Sequence, residues 1–151
     1  MTPERFNSIA KLITDDLRKT DAIKIEEFEK IAKDAMIGFS KIDWRNLLEF
    51  VDSYMWIEWD MDFIPISKQV LIKKANGYSM NGDRLWNFKK NYSFMNDNPT
   101  ENLKGYIRKH LASCMDIITG KIVADEAMIV EKFGDVFNYC VLAIALIKEQ
   151  E

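Results

Sequence analysis

The stretch Asp125-Glu126-Ala127-Met128-Ile129-Val130-Glu131-Lys132-Phe133-Gly134-Asp135-Val136-Phe137-Asn138-Tyr139-Cys140-Val141-Leu142-Ala143-Ile144-Ala145-Leu146-Ile147 decides the fold. Asp125 suits a helix N-cap, and no proline follows to interrupt the helix. The helix is nearly apolar all round, and a helix with no polar face must be enclosed by others. It is therefore expected at the centre of a bundle. Its longest apolar run, Tyr139 to Ile147, is less than half the roughly 20 residues needed to cross a bilayer, so no membrane partner is expected.

Upstream, the 151 residues hold only three prolines and six glycines. Between them apolar residues recur at helical spacing rather than in alternation, so the expected class is all-α. Thr2 caps a first helix opened by Pro3 and reaching about Lys19. Lys24 to Gly38 forms a second, with Ile25, Phe28, Ile31, Ala32, Ala35 and Met36 on one face. Asp43 caps a third that turns Trp44, Leu47, Leu48, Val51 and Met55 inward.

The segment from Trp56 to Pro65 reads equally as continued helix, edge strand or contact surface. Pro65 opens a fourth helix closing at Asn76-Gly77, and Asn81-Gly82 makes a turn. Asp83 caps a helix through Lys90, and Thr100 caps one that Gly120 stops after Thr119. The expectation is one domain, 1–151, as a bundle of about six helices. Residues 1–63 would form an additional N-terminal helical layer on a 64–151 core.

Hydrophobic residues at 48% and charged residues at 30% exclude disorder. A net charge of -3, with 21 basic residues scattered among 24 acidic ones, argues against duplex nucleic acid as a partner. Asp60 and Asp62 are too few to imitate a phosphate track. Cys114 and Cys140 sit in apolar helical contexts and read as buried free thiols, which points to a reduced, cytoplasmic setting. Met1 to Arg5 lacks the organisation of a signal peptide.

Three groups of residues could carry chemistry. Glu131, Asp135 and Asn138 fall at i, i+4 and i+7 and form one polar stripe on the closing helix. It faces either water or the bundle interior, where a cation or basic partner would have to compensate the carboxylates. On the preceding helix, Lys109, Ser113 and Asp116 share a stripe, and Lys109 could reach a phosphate. His110, the single histidine, reads as a core or boundary residue.

The third group is the corner from Gly77 to Lys89. There Asp83, Arg84 and Asn87 supply an acceptor, a forked donor and an amide, and Tyr78 or Trp86 could stack a base.

The order of residues from Lys74 to Ile147, about half the chain, resembles the phage and bacterial nucleotide-modification-associated domains, which are related to MazG-like all-α nucleoside triphosphate pyrophosphohydrolases. The matching residues are Tyr78, Gly82, Asp83, Asn87 and Phe88, then Lys109-His110 and Asp116. The run Lys121 to Glu126 leads on to Glu131 through Tyr139. The resemblance implies a helical bundle in which carboxylates hold Mg²⁺ against a nucleotide's phosphates.

Glu126, Asp135 and Asp116 would be the metal-side residues, and Tyr78, Arg84, Asn87, Lys109 and Asn138 would contact the nucleotide. Related proteins often dimerise, so a homo-oligomer is among the expectations. MazG-type enzymes pair two glutamates three apart with a glutamate and aspartate three apart. The closing helix departs from this with Lys132 where a glutamate belongs, whereas Glu26, Glu29, Glu49 and Asp52 match it literally. The competing expectation is a non-enzymatic phage counter-defence protein that sequesters a nucleotide signal or binds a host defence protein. Tyr54, Trp56, Trp59, Asp60, Asp62 and Phe63 would then form the contact patch.

Overall fold

In a computed structural model the chain forms seven helices among the described residues. These residues are all but Asp21, with the backbone alone described at 75–78. The helices are α1 (Pro3–Asp15), α2 (Glu27–Gly38), α3 (Lys41–Trp59), α4 (Phe63–Tyr78), α5 (Trp86–Lys89), α6 (Pro99–Ile118) and α7 (Glu126–Gln150). The all-α expectation holds.

Helix α7 is the central rod, packed against α3, α6, α4 and α1. Phe133, Val136, Phe137, Cys140, Val141, Ala143 and Ala145 on it are fully buried. Phe133 stacks on Tyr54 of α3 at 4.9 Å, and Phe137 meets Phe63 of α4 edge-on at 5.8 Å. Residues 1–63 belong to the same core, since Phe6, Phe28, Trp44, Leu47 and Leu48 are buried in one cluster with the α7 side chains. Cys114 and Cys140 are buried free thiols, and burial pushes both thiol pKa values up.

Local signals explain most helix boundaries. Thr2 accepts a hydrogen bond from the Arg5 N–H, and Asp125 accepts one from the Met128 N–H, each satisfying a free donor of its first turn. Three expected caps move. Ser40, not Asp43, caps α3. Its hydroxyl oxygen accepts from the Asp43 N–H at 3.1 Å while the hydroxyl donates to the Asp43 carboxylate at 2.8 Å, a reciprocal arrangement related to the capping box.

Asn98, not Thr100, caps α6, and Pro99 takes the first helical position. Asp83 is not the N-cap of α5, which shortens to Trp86–Lys89 behind Leu85; its carboxylate accepts from the Leu85 N–H, from Lys89 and from the Met1 amino group.

Two ends also differ from expectation. Helix α1 stops at Asp15 rather than Lys19, and α2 begins at Glu27 rather than Lys24, which leaves Ile25 exposed. Between Trp56 and Pro65 there is no strand. Helix α3 runs on to Trp59, Asp60 takes a left-handed conformation with φ 47°, and α4 opens at Phe63. Of the expected contact patch, Tyr54 and Phe63 are core residues and Trp59 is half-buried, while Trp56, beneath Lys19, and Asp60 and Asp62 are exposed.

Candidate functional site

Helices α6 and α7 lie side by side, and i, i+4 spacing on each lines up facing side chains. Tyr106 and His110 project from α6, and Asp135 and Tyr139 from α7. The Tyr106 and Tyr139 rings stack at 6.4 Å, and His110 stacks on Tyr139 at 5.1 Å. Phe88 of α5 closes the aromatic wall, meeting Tyr106 edge-on at 5.9 Å. Against this wall opens a cleft of about 220 Å³, reached also by Lys74 of α4, Arg84 and Asn87 of the corner, and Asn138 and Leu142 of α7.

The charges in the cleft are arranged around Asp135. Its two carboxylate oxygens face different partners, Lys74 Nζ at 3.6 Å and His110 Nδ1 at 3.4 Å. Burial lowers the His110 pKa; Asp135 opposes this, while Lys109, Lys132 and Lys74 reinforce it. The imidazole is therefore neutral near pH 7. With its Nδ1 beside a carboxylate, the favoured tautomer carries the proton there and leaves Nε2 as an acceptor. Arg84 is 4% exposed, its guanidinium lies over the Phe6 ring at 4.9 Å, and its backbone N–H donates to the Met1 carbonyl at 2.8 Å.

The polar stripe of α7 descends from solvent into the interior. The Glu131 side chain is 68% exposed, Asp135 is 22% exposed and Asn138 is buried. Both alternatives for the stripe are thus realised along its length. The Asn138 Oδ1 is buried without a hydrogen-bond partner.

Of the expected nucleotide contacts, Arg84, Asn87 and Asn138 converge on the cleft, joined by Asp135. Lys109 does not line it. That residue points to solvent, because the turn of α6 that faces α7 presents His110 instead. The Tyr78 side chain lies outside the described residues.

The expected metal set does not assemble. Glu126 is exposed in the first turn of α7, Asp116 is half-buried near the end of α6, and neither lines the cleft. Glu126 and Asp135 are nine residues apart on one continuous helix, about 13 Å along its axis. Magnesium holds its oxygens at about 2.1 Å, so these two carboxylates cannot share an ion. No group of three His, Cys, Asp or Glu residues poised for a metal occurs among the described residues.

The literal glutamate–aspartate pattern fares no better. Glu26 and Glu29 face solvent while Phe28 turns inward, and Asp52 is buried on α3.

Lys74, Tyr106 and His110 were not assigned to a site by the sequence. The i, i+4 pair Tyr106 and His110 opposite the i, i+4 pair Asp135 and Tyr139 is the signal that could have found them. Comparison with known proteins finds no matching protein-family model, no similar curated protein and no similar solved structure.

Proposed function

We propose that the chain binds a nucleotide-class ligand in the cleft between α5, α6 and α7. The observation carrying this reading is the convergence of Lys74, Arg84, Asn87 and Asn138 on one aromatic-walled cleft with a single carboxylate, Asp135. Lysine and arginine supply positive charge for phosphate, and the two amides can donate and accept at fixed positions. An arriving anion would compete with Asp135 for Lys74 and would favour protonation of His110.

Binding is supported better than hydrolysis. One carboxylate already engaged by Lys74 and His110 does not make a preassembled Mg²⁺ centre, although Mg²⁺ often arrives with phosphates and needs only one or two protein carboxylates. The counter-defence reading through a host protein keeps the exposed Trp56, Asp60 and Asp62 and the half-buried Trp59 of its patch, but not Tyr54 and Phe63, which are core residues. Sequestration of a nucleotide signal remains within the present proposal.

The test is thermal unfolding against a panel of ribo- and deoxyribonucleoside triphosphates, with and without Mg²⁺. A ligand at about 100 times its Kd adds roughly 2.7 kcal/mol, which in a chain of this size raises Tm by roughly 5–11 °C. Pyrophosphate release is followed in parallel. A shift without release supports binding alone. Release that Asp135→Asn abolishes while the fold persists would move the reading to an enzyme, and no shift with any nucleotide would end it.

A further inference from the structure

A second cavity, also about 220 Å³, lies between α4 and α7 and shares Lys74, Asp135 and Asn138 with the cleft. The Lys74–Asp135 ion pair stands at their common boundary. Pockets for drug-sized ligands begin at about 300 Å³, so each space alone suits a fragment and the two together suit a whole nucleotide.

Three features mark the second cavity as built for an occupant. Ser67 and Asn138 both line it, are 3% and 6% exposed, and leave Ser67 Oγ and Asn138 Oδ1 buried without a hydrogen-bond partner. Serine within a helix commonly bonds back to a carbonyl one turn earlier, and Ser67 makes no such bond. The third feature is Gly134, in the middle of the 25-residue α7, where an added Cβ would meet nothing within 4 Å. Glycine is the poorest helix former after proline, and no close helix contact requires it here. What its missing side chain preserves is the space.

We propose that this cavity is the base compartment of the nucleotide site, with the phosphates held on the Lys74 and Arg84 side in the cleft. The inference rests on the nucleotide reading above. Ile66 and Val70 of α4 and Val130 of α7 give the cavity apolar walls suited to the faces of a flat ring. Ser67 and Asn138 give it hydrogen-bonding groups suited to the ring's edge, and an asparagine amide can pair with adjacent donor and acceptor atoms of a base. An alkyl chain would leave both polar atoms unsatisfied, and a second phosphate would enter a mostly apolar space.

The experiment compares binding of a nucleoside triphosphate and of inorganic tripolyphosphate to the full chain and to Gly134→Leu, whose new side chain would fill the cavity. Nucleotide affinity should fall roughly a hundredfold, the scale on which added methylenes discriminate in a shaped pocket. Tripolyphosphate affinity should stay within about twofold of wild type, since Gly134 does not line the cleft. Unchanged nucleotide binding by a folded Gly134→Leu overturns the base assignment and leaves the nucleotide reading standing. Equal loss of both ligands also overturns it.

Should Gly134→Leu fail to fold, Ser67→Ala decides. A fall of about tenfold in nucleotide affinity supports the proposal, and wild-type affinity refutes it. If the wild-type chain binds no nucleotide, the parent reading fails and this one with it.

Discussion

Replacing Asp52 by asparagine should make the protein more stable at neutral pH and leave it nearly unchanged in acid. Asp52 is 1% exposed on α3, and its Oδ1 has no hydrogen-bond partner. Burial raises its pKa from 3.8 to about 6, against the attraction of Lys19 and with help from Asp62 and Glu49. Between these two values the native state holds a proton that the unfolded chain has released, so stability falls as pH rises through the window. The gap corresponds to roughly 3 kcal/mol, all of it forfeited above the native value.

Asparagine keeps the shape and cannot ionise. Each kcal/mol moves Tm by about 2–4 °C in a chain of this size, so the variant should melt roughly 6–12 °C above wild type at neutral pH. The assay is thermal unfolding of both proteins between about pH 4 and about pH 7.5, taken as a difference so that other carboxylates cancel. Parallel curves across the whole range would show that Asp52 ionises freely in the native state and would refute the reasoning.

Gly134→Ala should raise stability by about 0.8–1 kcal/mol, read as a higher urea midpoint with unchanged m, because alanine relieves the helix penalty and its Cβ meets nothing. Asn138→Leu should abolish nucleotide binding without lowering Tm, since it removes a buried acceptor that has no partner and whose burial costs about 1–3 kcal/mol. Nucleotide affinity should rise as pH falls from about 8 to about 6, because a bound anion favours the imidazolium of His110; calorimetry in two buffers should detect proton uptake, and His110→Gln should suppress it.

Glu149→Gln should lower stability at neutral pH and leave it nearly unchanged in strong acid, read as Tm differences between the two proteins across pH. Burial pushes the Glu149 pKa up, but hydrogen bonds from Lys89 and the Met1 amino group outweigh it and leave the value lowered, so the stability it adds above the ordinary carboxylate range disappears as pH falls through the native value.

The helices were legible where their signals are local. Thr2-Pro3 and Asp125 cap the helices they were expected to cap, and the apolar circumference of the closing helix placed it at the centre. The misplaced caps share one cause. Ser40 and Asp43, or Asn98 and Thr100, are both competent within one turn, and only the exit direction of the chain selects between them. Asp83 failed as a cap for a different reason. Its partners include Met1, 82 residues away, and no local pattern reveals such a contact.

At the site, Asp135 and Asn138 were legible because polar residues on a nearly apolar helix stand out, and Arg84 and Asn87 because they cluster at the corner between two helices. The expected magnesium set missed a constraint the sequence did contain, the rise of nine helical residues between Glu126 and Asp135. Lys74 and His110 were missed because a lone lysine or histidine on a helix gains meaning only from its neighbours across the interface.

The chain's only two cysteines have consequences beyond packing. Cys140, sealed inside the central rod, should react with a thiol reagent only on global unfolding, whereas Cys114 on α6 should become reactive whenever that helix lifts from α7. The protein thus carries two built-in stopwatches of different range. If ligands enter by prising α6 away, saturating nucleotide will slow the labelling of Cys114 more than global stabilisation alone can, and unequal protection of the two sulfurs will identify the door.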